Sequence, residues 1–91
     1  MFPQDARRLT GFQLRLVQQG VEPSDWKPMP SIGQGVREIR IHSAVEYRIC
    51  YVVKFAEAIY VLHAFEKRTR KTSQHDVELA RQRYQALIAQ R

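Results

Sequence analysis

Apolar and polar positions along this chain follow two periods, and the change of period divides it into segments. From residue 4 to residue 19, Ala6, Leu9, Gln13, Leu16 and Val17 recur at helical spacing, with Phe12 beside them. An amphipathic helix is predicted there, with Arg7, Arg8 and Arg15 toward water. Pro3 suits a first helical turn, because its missing N–H has no partner there in any case, and Asp5 suits the positive end of the helix dipole. Gly20 is the expected C-terminal cap. Residues 21–35 read as a connector, since Pro23, Pro28 and Pro30 break regular structure and Gly33 and Gly35 permit tight turns. Trp26 within it is either an apolar plug or a stacking surface for a nucleobase.

The period then drops to two. Ile39 and Ile41 mark one face of a strand at 36–42, and Glu38, Arg40 and His42 mark the other. After a turn at Ser43-Ala44, a longer strand runs from Glu46 to Phe55. Tyr47, Ile49, Tyr51, Val53 and Phe55 share one of its faces, and Arg48, Cys50, Val52 and Lys54 share the other. Ala56-Glu57 is the expected hairpin tip. Residues 59–65 are apolar except for His63, the pattern of a central strand buried on both faces. Helical spacing returns after Thr72 or Ser73, either of which can cap the helix, and Val77, Ala80, Tyr84, Leu87 and Ile88 form its apolar stripe. Short connections between strands imply antiparallel pairing. The predicted class is therefore α+β in a single domain, residues 1–91: an N-terminal helix, three consecutive antiparallel strands and a C-terminal helix. Both helices are expected on the Ile39/Ile41 face, which leaves the opposite face open.

Charge changes this picture more than composition does. The hydrophobic fraction is 44% and the charged fraction 26%, ordinary for a folded domain. The net charge is +6, however, and the surplus is uneven: residues 60–91 hold seven basic groups against three acidic ones. The densest run is Lys67-Arg68-Thr69-Arg70-Lys71. A basic surplus of this size favours a polyanionic partner. A single cysteine excludes an internal disulfide framework, and no HExxH, CxxC or carboxylate cluster suggests a metal, so neither a metal nor a cofactor is expected. No apolar run has the length of a membrane span, and neither helix has the Lys/Arg-rich and aromatic faces of a membrane-surface helix. A cytoplasmic location is the default expectation.

Antiparallel pairing sets Arg40 beside Arg48 on the open face, with the basic run starting where the last strand ends. Such a surface is suited to a phosphate backbone. The stretches Gly35-Val36-Arg37-Glu38-Ile39-Arg40-Ile41, Tyr47-Arg48-Ile49-Cys50-Tyr51 and Tyr60-Val61-Leu62-His63-Ala64-Phe65-Glu66-Lys67-Arg68-Thr69-Arg70-Lys71-Thr72, followed by Val77-Glu78-Leu79-Ala80, closely resemble the RelE/ParE toxin superfamily. Within it the chain is most similar to the phage-derived, HigB-like branch. The resemblance covers essentially the whole chain.

The resemblance implies the toxin of a type II toxin–antitoxin pair. It further implies a metal-independent endoribonuclease that enters the ribosome and cuts messenger RNA by attack of the ribose 2′-hydroxyl. Its implied partners are messenger RNA, the ribosome and a cognate antitoxin of helix-turn-helix type. A homodimer and a toxin–antitoxin hetero-oligomer both stay open as assemblies. Arg48 is the first candidate for contact with the scissile phosphate; its alternative is a surface ion pair with Glu38 or Glu46. Arg68 and Arg40 are further catalytic candidates, and Lys67, Arg70 and Lys71 are RNA-binding candidates. His63 and His42 are acid/base candidates, with a satisfied histidine in a buried strand as the alternative for His63. His75 is expected to be exposed and Cys50 to be packing. Relatives usually open with a short strand, whereas this sequence opens almost directly on Pro3, so either the true start lies upstream or the sheet has one strand fewer and an exposed edge. Tyr84 falls on the buried stripe of the last helix, which leaves the general base unassigned. Two other readings of the same fold are a gyrase inhibitor of the ParE type and an inactive relative that only binds its antitoxin.

Overall fold

A computed structural model describes residues 4–54, 58–68 and 71–90 of the chain. The predicted α+β class is what forms. In order, the elements are α1 (Gln4–Gln18), β1 (Trp26–Pro28), β2 (Val36–His42), β3 (Glu46–Lys54), β4 (Ala58–Glu66) and α2 (Gln74–Ala89). The strands make one antiparallel sheet in the order β1-β2-β3-β4. The expected hairpin tip at Ala56-Glu57 and the end of the expected strand at Phe55 lie outside the described residues, as does Pro3.

Local signals behave as the sequence predicts. Gly20 follows α1 with a φ of 79°, a conformation that suits glycine, and its N–H donates to the Val17 carbonyl. Ser73 caps α2, its hydroxyl accepting from the Asp76 N–H at 3.1 Å.

Three expectations fail. The connector is not wholly irregular, for Trp26–Pro28 pairs with β2 as a fourth strand in the register Trp26 with Ile39, Lys27 with Glu38 and Pro28 with Arg37. A proline is compatible with this because β1 is an edge strand, where its missing N–H breaks no ladder. The strand at 58–66 is not central. It forms the other edge, and Val61 is 49% exposed.

The third failure concerns the helices, which lie on opposite faces of the sheet. Ala6, Leu14 and Val17 of α1 pack on Ile39, Ile41, Tyr47, Ile49 and Tyr51. Val77, Ala80, Tyr84 and Leu87 of α2 pack on the other face, with Val36, Cys50, Val52, Leu62 and Phe65, together with Met29 and Ile32 from the connector. The reason is that β3 is apolar on both faces, so each face needs a cover. Because α1 packs on β2 rather than across the whole sheet, Val53 and Val61 stay exposed. Phe12 and Ile88, placed by spacing beside or on the apolar stripes, are exposed as well.

A register shift between Cys50 and Tyr51 leaves Leu62 as the extra residue of β4. Leu62 joins the α2-side core while its neighbour His63 stays opposite Cys50 on the same side. Close approach also fixes the connector. The Tyr84 ring lies against Gly33 where a Cβ would overlap it, and the Tyr84 hydroxyl donates to the Gln34 carbonyl at 3.0 Å. The Arg81 guanidinium donates to the Ser31 carbonyl at 2.8 and 3.0 Å.

Gly33→Ala is therefore expected to destabilise the protein by about 1–3 kcal/mol, as overpacking does. Thermal unfolding checks this. An unchanged midpoint would mean that Tyr84 moves aside without loss.

Candidate nucleic-acid interface

The side of the sheet facing α2 is apolar at one end and charged at the other. Its apolar rungs are Val36–Val52 and Val52–Tyr60, and they lie under α2. Toward the opposite end the same face carries Lys27–Glu38–Cys50–His63, then Arg40–Arg48–Phe65, then His42–Glu46. Lys67 follows β4, and its N–H donates to the Glu46 carbonyl at 2.8 Å, which fixes it beside this end.

Arg40 and Arg48 are thus direct cross-strand partners, as the alternation predicts. Like charges in that position repel unless other groups balance them. Arg40 is balanced by Asp25, whose Oδ1 lies 3.3 Å from Nη1. Arg48 is nearly buried, and both alternatives named for it as an ion pair are realised: its Nε lies 3.7 Å from Glu38 Oε1 and its Nη1 3.3 Å from Glu46 Oε1. Nη1 also donates to the Tyr47 carbonyl at 3.0 Å. Glu38 is fully buried, with Lys27 Nζ 3.9 Å from Oε1 and the Thr72 hydroxyl donating to Oε2 at 2.8 Å.

Arg68 is 81% exposed and pairs with Glu66 at 2.6 Å. Lys67, Arg68 and Lys71 line one concavity of ≈ 180 Å³ between the end of β4 and the start of α2, with Phe65, Ser73 and Asp76. Lys67 is held below the usual lysine range, first by burial and then by the Arg48 guanidinium, with Lys27 and Arg40 adding to it. Glu38 acts against them, so the amine feels the sheet cations and their carboxylate together. Arg70 lies outside the described residues.

The two candidate histidines sit in different surroundings. His42 is exposed and held between carboxylates: Nε2 lies 2.6 Å from Asp25 Oδ2, and Nδ1 lies 2.8 Å from Glu46 Oε1. These bonds, that to Asp25 first, raise its pKa and favour the imidazolium. Reciprocally, the bond to His42 holds the Asp25 and Glu46 carboxyls below their ordinary values. His63 is only 11% exposed. Its Nε2 lies 2.7 Å from Asp76 Oδ1, its Nδ1 faces Arg83 Nη1 at 3.2 Å, and its ring stacks on Phe65. An Arg83 N–H aimed at Nδ1 makes that nitrogen an acceptor, so Nε2 carries the proton given to Asp76. Burial pushes Asp76 up, but the hydrogen bonds from Ser73 and His63 outweigh it and hold the carboxyl low. The Cys50 thiol is pushed up to about 12, chiefly by burial and then by Glu38, and it serves as packing.

Trp26 is half-buried and stacks against the Arg37 guanidinium, whose Cζ is 4.2 Å from the ring centroid. Pattern reasoning missed Lys27, Asp25, Asp76 and Arg83. Lys27 and Asp25 lie in a connector whose pairing no alternation announced. The signal for Glu38 was present: it is a lone carboxylate on the same strand face as Arg40. Among the described residues, no three His, Cys, Asp or Glu side chains converge as metal ligands do, and no helix is long and apolar enough to cross a membrane.

A small α+β protein with a cationic cluster built into one end of its sheet is the class that fold and site define. The family model described as phage-derived protein Gp49-like (DUF891) matches residues 1–85, and the chain belongs to that family, which is associated with toxins of toxin–antitoxin systems of RelE-like type. Comparison with curated proteins and with solved structures finds no match.

The His42 clamp has a pH signature. The raised His42 pKa means that its contribution to stability is complete below the ordinary histidine value of 6.5 and is lost as pH rises through the elevated folded value. The lowered carboxyls act oppositely: their contribution is present above the ordinary carboxylate range and is lost as pH falls through the depressed values. The melting midpoint is expected to decline above pH 6.5, and His42→Gln is expected to flatten that decline. An identical alkaline slope in the variant would contradict the clamp.

Proposed function

We propose that this chain is the toxin of a toxin–antitoxin pair, of the HigB-like branch, and that it cuts messenger RNA at the ribosome in the cytoplasm. The observation that carries this reading is the convergence of Arg40 and Arg48, as direct cross-strand partners, with Lys67 at the end of β4, which shares one concavity with Arg68 and Lys71. Membership of a family associated with such toxins supports the biological setting.

The chemistry suited to such a cluster is attack of a ribose 2′-oxygen on the adjacent phosphorus. The new O–P bond closes a 2′,3′-cyclic phosphate, the P–O5′ bond breaks, and the 2′-hydroxyl proton leaves to water. Negative charge grows on the non-bridging oxygens in the transition state, and fixed guanidinium groups stabilise it more than they stabilise the ground state. Arg48 is held rigidly for that task by Glu38, Glu46 and the Tyr47 carbonyl. Arg68, on the exposed rim, takes the scissile phosphate with Lys67 beside it, and Arg40 supports from the neighbouring strand. Lys71, with Arg70 in the same basic run, adds attraction for the RNA backbone.

Of the two acid/base candidates, His42 fits the acid better. It is exposed and its imidazolium is favoured, so it has a proton to give to the leaving 5′-oxygen. Each histidine has both nitrogens engaged, but the His63 side chain is nearly covered whereas that of His42 reaches solvent. The implied partner is an antitoxin of helix-turn-helix type with an acidic or extended segment that covers the cationic end of the sheet.

A cell-free translation system supplied with end-labelled message tests this reading. Fragments with 2′,3′-cyclic ends are expected from ribosome-bound message. Arg68→Ala is expected to slow their appearance about 10²–10³-fold, the effect of removing one transition-state donor, with the melting midpoint unchanged. Intact message with normal translation would refute cleavage. Intact message together with inhibited supercoiling by gyrase would move the assignment to the ParE type.

A further inference from the structure

Glu38 stands out among the charged groups because it is assigned no contact with the RNA and enters the proposed reaction only as a partner of Arg48, yet the sheet buries it completely. A buried carboxylate is expensive unless cations and donors surround it. Here they come from three separate pieces of chain: Lys27 from β1, Arg48 from β3, and Thr72 from the residue preceding the α2 cap. The two oxygens are used differently. Oε2 accepts the Thr72 hydroxyl at 2.8 Å. Oε1 has no hydrogen-bond partner, and Arg48 Nε, equally buried and equally unpartnered, faces it at 3.7 Å. Oε1 therefore acts on Arg48 and Lys27 through charge, while Oε2 fastens the start of α2 to the floor of the sheet. Lys71 and Thr72 are neighbours in sequence, so that fastening sets where Lys71 stands relative to Lys67 and Arg68 across the concavity they share.

We propose that Glu38 is a positioning residue for an RNA-binding surface, locking the sheet cations Arg48 and Lys27 and, through Thr72, the cations before α2 into one fixed array of phosphate sites. This rests on the reading of the cluster as an RNA interface. Thr72 is the place to test it, because replacing Glu38 itself leaves Arg48 and Lys27 unbalanced and endangers folding. Thr72→Val keeps the shape and removes only the donor, and Thr72→Ser restores the donor.

The probe is a short single-stranded RNA with every 2′-oxygen methylated, which binds without being cut, titrated into the full chain at several salt concentrations. Thr72→Val is expected to bind about tenfold more weakly, the loss typical of one hydrogen bond to a charged group, with a salt slope shallower by about 0.7, equivalent to one phosphate contact. Thr72→Ser is expected to recover both quantities. If Thr72→Val binds like the wild type, or if serine fails to restore affinity and slope, Glu38 is not a positioning residue, although the RNA interface stands. If the wild-type chain shows no salt-dependent affinity for the RNA, the interface reading falls and this inference falls with it.

Discussion

The polar end of the molecule depends on one balance, that of the Glu38 carboxylate against the cations gathered around it. Burying a single charge in a small core is strongly unfavourable, and burying several of one sign more so. Glu38 and Arg48 are both covered by the protein, and each is tolerable only because the other is present. Around that pair, Lys27 of β1 and Thr72 before α2 are drawn to the same carboxylate, so four pieces of chain meet on one group. Asp25 and Glu46 repeat the device at the rim, holding Arg40, Arg48 and His42. The outcome is a cluster of cations held in place by a smaller set of carboxylates, which leaves positive potential to spare.

The two halves of the α2-side face divide the work between stability and chemistry. Under α2, valines, Cys50, Leu62 and the Tyr84 ring form an ordinary apolar core, closed by the connector through Met29 and Ile32. A few residues further along the same strands, the side chains on that face become arginine, glutamate and histidine. The bulge at Leu62 marks this transition, adding one more apolar group to the core and leaving His63 and Phe65 on the same side. The α1 side carries no such division, since its buried cluster is hydrophobic throughout.

The histidines show how environment sets the role of one residue type. His42 lies in water between two carboxylates, which favour its charged form. His63 lies against Phe65 with an arginine N–H directed at one nitrogen and a carboxylate at the other, an arrangement that assigns its tautomer and leaves it no lone pair or proton to offer. Nothing in their spacing along the chain distinguishes them, because each simply faces the same side of a strand.

Alternation by itself determined the strands β2 and β3, the faces of their residues and the Arg40–Arg48 pairing, because period two fixes side-chain direction and antiparallel hairpins fix register locally. The caps at Gly20 and Ser73 were legible for the same reason, being matters of local backbone geometry. Which helix covers which face was decided only in three dimensions: both faces of β3 are apolar and each needs a cover, but the pattern does not say which helix supplies it, and only the packed chain chooses. β1 and the edge position of β4 were equally hidden, since a three-residue strand is too short to show a period and an apolar run carries no mark of what lies beside it. The hub at Glu38 belongs with these. The sequence placed a carboxylate on the Arg40 face, but its burial and its grip on Lys27, Arg48 and Thr72 arise from contacts between segments distant in sequence, which no local period encodes.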